Sequence, residues 1–143
     1  MVIPRFIQQV QAGEPLTVFG DGEQTRCFLH VSDAVAAMMA LAECDEALGQ
    51  VFNVGSTEEI SIYHLAKLVL EKMVEFSSIS DQIDPKKGRE YNKARIKFIP
   101  YEDAYAVGFE DMARRVPDTS KIFRFTGWET TKNLEDTLRD MIQ

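Results

Sequence analysis

Arg26 stands between a Gly20-Asp21-Gly22 turn and the apolar run Cys27-Phe28-Leu29. A guanidinium presents a planar fork of donors, keeps its charge at any relevant pH and suits paired phosphate oxygens. A glycine-bearing turn just before it lets backbone approach a ligand closely. Read alone, the same arginine more often serves as the partner of a carboxylate, here Asp21, Glu23 or Asp33. A second cluster lies at Glu110–Lys121, where Arg114 and Arg115 precede Pro117 and Asp118. An arginine three residues before an aspartate can set a cation on a phosphate and a carboxylate on two vicinal sugar hydroxyls. Asp118 also fits the cap of a helix opened by Thr119-Ser120-Lys121, and its two oxygens allow both roles.

Other reactive side chains combine poorly. His30 and His64 are the only histidines, too few for a histidine metal site, and Cys27 and Cys44 do not complete one. His30, Ser32 and Asp33 are near neighbours in sequence, which is not how a triad assembles in space. His30 reads as a strand residue near a sheet edge. Cys27 reads as a small buried hydrophobe. Tyr63 and Lys67 match a Tyr-x-x-x-Lys spacing, yet i, i+4 pairs arise by chance on many amphipathic helices. No catalytic residue is assigned.

A chain of 143 residues with 45% hydrophobic and 27% charged residues can bury one globular core. Its net charge of −7 opposes binding to nucleic acid or to anionic membranes, so an anionic ligand needs a local basic cluster. No apolar run approaches the ~18 residues of a membrane span. Two cysteines suggest no disulfide framework, and reduced thiols in a cytoplasmic setting are the default. The start, MVIPRFIQQV, has helical spacing from its first residues and no N-cap ahead of Pro4. It reads as the middle of a longer parent, not as a signal peptide.

The elements that must position these residues follow from periodicity. A helix is predicted from about Pro4 to Ala12, then a strand Leu16–Phe19, the glycine turn and a strand Arg26–Val31. Asp33 is the expected N-terminal residue of a helix whose core face is Val35, Met38, Met39 and Ala42. Gln50–Gly55 is predicted as a short buried strand. Ser61 is expected to cap a helix burying Ile62, Leu65, Ala66, Val69 and Met73, with Ile60 and Leu65 as a hydrophobic staple. Ser77–Arg95 is polar and aperiodic, a surface loop. A strand Ile96–Tyr101, a loop Glu102–Pro117 and a helix from Thr119 closed by Gly127 and packed by Trp128 follow. A final helix carries Leu134, Leu138, Met141 and Ile142 on one face. Strands alternating with helices predict an α/β fold with a small, mainly parallel sheet and flanking helices.

Four stretches occur in the order seen in one family: VIPRFIQQVQAGEPLTVFGDGEQTRCFLHVSDAVAAM, GQVFNVGSTEEISIYHLAKL, Arg114-Arg115-Val116-Pro117-Asp118 and FTGWETTKNLEDTL. The chain resembles the C-terminal substrate-binding domain of the extended short-chain dehydrogenase/reductases, the NAD-dependent nucleotide-sugar epimerases, dehydratases and decarboxylases. The resemblance implies that Arg26 grips the diphosphate, that Arg115 is a second phosphate arginine and that Asp118 lies near the ribose. It places Thr17 and Phe19 at strand positions whose backbone meets the nucleobase, and Val2 where a helix offers its amide to the phosphates. Met1 departs from the epimerase pattern, which has asparagine there. Tyr105 or Phe109, in an aromatic and acidic loop, could fold over the base or simply anchor a solvated loop.

The resemblance also says what a whole enzyme of this kind uses. NAD sits on a Gly-x-x-Gly-x-x-Gly turn between a strand and a helix, and a Tyr-x-x-x-Lys pair does the chemistry. The Gly20-Asp21-Gly22 turn has the wrong spacing and leads to a strand, and Tyr63/Lys67 falls on a substrate-domain helix. The expectation is therefore one substrate domain over residues 1–143, its N-terminal Rossmann domain absent from the chain. NAD would belong to the parent enzyme, and a UDP- or dTDP-sugar would be the ligand. Turnover by the chain alone is not expected. The face meeting the absent domain should be apolar, and a homodimer could cover it. The competing expectation is a freestanding module that binds a nucleotide or dimerises without turnover.

Overall fold

A proline in the first turn and a glycine beyond the last one bracket the first helix, α1 (Val2–Gln11). Gly13 supplies the left-handed residue, φ 72°, that ends it. Ile3, Phe6, Ile7 and Val10 form its buried stripe. The computed structural model describes residues 1–76, 95–104 and 112–143. The predicted Ser77–Arg95 loop, Arg95 aside, lies outside the described residues, as do Tyr105 and Phe109. The remaining described elements are β1 (Leu16–Phe19), β2 (Thr25–Cys27), α2 (Val31–Ala42), a 3-10 turn at Asp45–Ala47, β3 (Glu59–Ser61), α3 (Ile62–Phe76), β4 (Ile96–Ile99), α4 (Tyr101–Ala104), α5 (Ser120–Thr126) and α6 (Leu134–Ile142).

The chain forms two compact units. The first comprises Met1–Thr25, Ile60–Ala113 and Leu138–Gln143. In it β1 and β4 pair in parallel, Leu16 opposite Ile96 and Phe19 opposite Ile99, with α1 and α3 packed on β1. Phe6, Leu16, Val18, Leu65 and Val69 are fully buried there. Ser61 caps α3 as the sequence predicts, its hydroxyl accepting the His64 amide at 3.2 Å. The predicted face of α3 is the buried one, extended by Leu70 and by Lys72, whose ammonium meets Glu75 at 2.9 Å.

The glycine turn belongs to this unit and is held from within. Gly22 has φ 78°, and its carbonyl accepts the Tyr63 amide at 2.9 Å. A Cβ there would lie 2.8 Å from Val18 Cγ1 and 3.0 Å from Tyr63 Cβ. Gly22→Ala is therefore expected to cost about 2–3 kcal/mol, from left-handed backbone strain plus overpacking. A urea melt of the variant measures this, and an unchanged midpoint would remove Gly22 from the turn's support.

The second unit comprises Arg26–Glu59 and Arg114–Thr137. Ala37, Ile122 and Trp128 form its centre, with Leu29, Leu41, Phe52 and Val54 packed against them. Gly127, φ 69°, closes α5 as predicted. Five expectations are corrected here. The predicted strand Arg26–Val31 ends at Cys27, and His30 is the N-cap of α2 in place of Asp33 and of an edge-strand histidine. Its Nδ1 accepts the Ser32 amide at 3.2 Å. The expected core face of α2 is turned out: Val35, Met38 and Met39 are exposed, and Asp33 and Ala37 are buried. The cause is that α2 is apolar on both sides, so bulk alone did not mark the inner one. Lastly, Gln50–Gly55 belongs to no strand among the described residues.

The α/β class and the small parallel sheet with flanking helices stand. The predicted Ile96–Tyr101 strand stops at Ile99, because Pro100 lacks the amide to continue it and Tyr101 opens α4. In α6, Leu134 and Leu138 are buried as expected, whereas Met141 is exposed. No described helix is long and apolar enough to cross a membrane.

Candidate functional site

Arg26, Arg115 and Asp118 line one open cavity of about 670 Å³ in the second unit. Arg26 enters at the point where β2 runs into the apolar segment Phe28-Leu29; Arg115 and Asp118 enter from the segment that leads into α5. Between them lie Cys27, Asn53 and Gly55. A Cβ on Gly55 would meet Pro117 Cγ at 2.6 Å, so only glycine lets the two chain segments approach this closely. Asn53 strengthens that contact by donating through Nδ2 to the Asp118 carbonyl at 3.2 Å.

Adjacent arginines part company. Arg114 donates from Nε and a terminal nitrogen to Glu59 Oε2, at 3.2 and 3.0 Å, whereas Arg115 lines the cavity. One arginine is thus committed to a carboxylate while its neighbour lines the cavity. The Asp118 carboxyl is held below the usual carboxylate range by the hydroxyl and amide of Ser120, the amide at 2.9 Å from Oδ1. It is thus an anion near neutral pH, and it accepts the first amide of α5 from one residue ahead of the N-cap Thr119 while it lines the cavity. Of the two roles read from sequence, the contact with the start of α5 is present in this geometry.

Cys27 is the cavity residue whose surroundings the sequence did not reveal. Burial, followed by the nearby Glu59 and Glu58 carboxylates, pushes its thiol up, and Arg114 offsets only part of this. The neutral thiol is therefore favoured at neutral pH. Alkylation of Cys27 is expected to be slower at pH 7.5 than that of an ordinary free cysteine and to accelerate in Glu59→Gln. Mass spectrometry of iodoacetamide-treated protein reads both rates. Fast labelling of the wild type would contradict this electrostatic account.

Val2, Thr17 and Phe19, the other residues selected from sequence, lie in the first unit. Val2 opens α1. The Thr17 amide and hydroxyl are engaged by the Gln9 side chain at 3.1 and 3.0 Å, and the Phe19 carbonyl accepts Gln24 Nε2 at 3.0 Å. Tyr63 and Lys67 form a helix-surface contact, the ammonium 5.5 Å from the ring centroid. The Gly20–Gly22 turn joins β1 to β2, so it presents no helix N-terminus to a pyrophosphate, and these residues do not fit a dinucleotide seat. Among the described residues no cluster of histidine, cysteine and acidic side chains could hold a metal.

An α/β fold with paired arginines and a carboxylate on one cavity is the setting in which the comparisons with known proteins fall. The chain belongs to the GDP-mannose 4,6 dehydratase family, whose model matches residues 1–141. It is 33% identical over 142 residues to a UDP-N-acetyl-alpha-D-glucosaminuronate decarboxylase of Bacillus cytotoxicus, covering 99% of this chain and 39% of that protein. It is 36% identical to UDP-glucuronic acid decarboxylase 2 of Arabidopsis thaliana, of which it covers 26%. The structure matches UDP-glucuronic acid 4-epimerase of Bacillus cereus, solved with UDP-glucuronic acid and NAD, at TM-score 0.71 and 28% identity. That match covers 99% of this chain and 39% of the epimerase. The fold also matches dTDP-glucose 4,6-dehydratase of Bacillus anthracis at TM-score 0.74 and 18% identity, covering 100% of this chain and 38% of the dehydratase. The chain thus spans well under half the length of these relatives.

Proposed function

We propose that this chain is the sugar-nucleotide-binding portion of an NAD-dependent epimerase, dehydratase or decarboxylase acting on a nucleoside-diphosphate sugar, a UDP-sugar before a dTDP-sugar. The single observation that carries the reading is the convergence of Arg26, Arg115 and Asp118 on one cavity. The names of the relatives, mostly UDP-sugar enzymes, support the choice of base. Arg26 and Arg115 donate to diphosphate oxygens, where charge-assisted forks are strongest. The Asp118 carboxylate accepts from ribose hydroxyls.

NAD supplies hydride transfer in such enzymes, and both it and the tyrosine–lysine pair belong to the part of the protein beyond these residues. Residues 1–143 act as one substrate-binding portion that needs that part for turnover. Free Cys27 and Cys44 fit a cytoplasmic setting. Titration calorimetry with UDP and with uridine tests the reading. UDP is expected to bind and uridine to bind far more weakly, because the phosphates carry the interaction. Equal heats for the two ligands, or turnover of a UDP-sugar by this chain with added NAD, would overturn it.

A further inference from the structure

A second cavity, of about 450 Å³, lies in the same unit as the arginine-lined one and carries the opposite charge. Its volume falls within the about 300–1,000 Å³ of small-molecule sites. Thr57, Asp118, Phe123, Trp128, Glu129 and Thr130 line it. It shares Gly55, Pro117 and Asp118 with its neighbour, so the close contact of Gly55 with Pro117 stands where the two cavities meet. Arg26 and Arg115 line only the first. Among the described residues no lysine, arginine or histidine lines the second.

Several donors along this wall are spent within the fold. Trp128 Nε1 donates to the Asp33 carbonyl, and the Trp128 amide to the Thr126 hydroxyl, both at 3.1 Å. The Ser120 amide donates to Asp118 Oδ1 at 2.9 Å, and the Phe123 amide to the Thr119 carbonyl at 3.2 Å. The indole therefore offers a ligand its π surface and no N–H. Phe123, 53% exposed, adds a second aromatic surface. Asp118 is an anion near neutral pH, and Arg124, the cation that acts on it through space, lies outside the wall. Glu129, an exposed residue, brings a second carboxylate.

Ligands of different charge meet this wall differently. An anion finds no cation to receive it. A bare metal ion needs a cluster of histidine, cysteine or acidic ligands, and the described residues form none. A neutral sugar could use the hydroxyls of Thr57 and Thr130, yet it leaves both carboxylates unmatched. An organic cation finds carboxylates for its charge and aromatic surface for its alkyl groups. We propose that this cavity is a binding site for an alkylated ammonium ion, held by the Trp128 and Phe123 rings and the carboxylates of Asp118 and Glu129. The inference stands apart from the nucleotide reading, because Phe123, Trp128 and Glu129 do not line the arginine cavity.

Trp128 is the only tryptophan of the chain, so its fluorescence reads this cavity directly. Choline chloride is the probe, titrated while potassium chloride holds the ionic strength constant. A saturable change in Trp128 emission is expected. The uncharged analogue of choline, with carbon in place of nitrogen, should bind about tenfold more weakly. Glu129→Gln and Phe123→Leu, both at exposed positions, should each weaken choline binding roughly two- to fivefold, while circular dichroism and the UDP heat stay as in the wild type. No saturable change, an equal response to the uncharged analogue, or unaltered choline affinity in both variants would overturn the proposal. Saturation by glucose in place of choline would do the same. Choline binding in a chain that gives no UDP heat would sink the nucleotide reading and leave this site standing.

Discussion

Asp33→Ala is expected to lower the stability of the chain by about 3–5 kcal/mol, from the loss of several hydrogen bonds to one buried anion. Asp33 is 3% exposed. Its carboxylate accepts the Thr131 amide at 3.0 Å, the Thr131 hydroxyl at 2.7 Å and the Lys132 amide at 2.9 Å. Its own carbonyl accepts Trp128 Nε1 at 3.1 Å, so α2 is fastened to the segment after α5 by side chain and backbone together. Burial alone would raise this carboxyl, but the donors of Thr131 and Lys132 outweigh it and hold it below its ordinary value. A carboxyl lowered by folding contributes stability that is complete above its unfolded value, near ~4, and that fades as pH falls through the folded value. Urea midpoints should therefore drop for the wild type below about pH 4, and that part of the drop should be missing in Asp33→Ala. Parallel pH profiles for the two proteins would show that the carboxylate is not ionised in this role.

Loss of Arg26 and Arg115 together is expected to weaken UDP binding at least a hundredfold. Each charge-assisted pair with a phosphate contributes about 1.5–3 kcal/mol, which is roughly ten- to hundredfold per arginine. The two share one ligand, so the single effects need not add. Arg26→Lys should recover only part of the loss, because an ammonium keeps the charge and gives up the planar fork. Arg114→Ala serves as the contrast: its partner is Glu59, so UDP affinity should change little. Calorimetry on the double variant, Arg115→Ala, Arg26→Lys and Arg114→Ala separates these outcomes. An Arg114 effect as large as that of Arg115 would mean that the adjacent arginines have been assigned to the wrong roles.

What was legible in the sequence had local causes. The stripe of α1, the Ser61 cap and the Gly127 stop depend on residues within a turn of one another. The bounds of β1 matched for the same reason, being set by Pro15 before it and Gly20 after it. What was missed depends on distant partners. Asp33 looks like a helix cap in sequence, yet it is drawn inward by Thr131 and Lys132, nearly a hundred residues away, and His30 takes the cap. The inner side of α2 is marked by Ala37, the smaller residue, because Ile122 and Trp128 need room beside it. Arg26, Arg115 and Asp118 were all selected from sequence, and the structure brings them to one cavity. Gly55 and Asn53, which bring those segments together, carried no comparable signal, since their contacts are with Pro117 and Asp118 far along the chain.

The close approach of Gly55 to Pro117 has a thermodynamic consequence for ligand capture. The segment bearing Asp118 is held against Gly55 by van der Waals contact and by the Asn53 amide. Its conformational entropy has therefore been given up during folding. On the proposed reading, what remains to be ordered when a diphosphate arrives is the set of side chains that would touch it, at about 0.5–1.5 kcal/mol each. A Gly55→Ala chain, with Pro117 displaced, would have to order that segment at the moment of binding. Its deficit should appear as a less favourable binding entropy more than as a loss of enthalpy, the signature of a cavity shaped before its ligand enters.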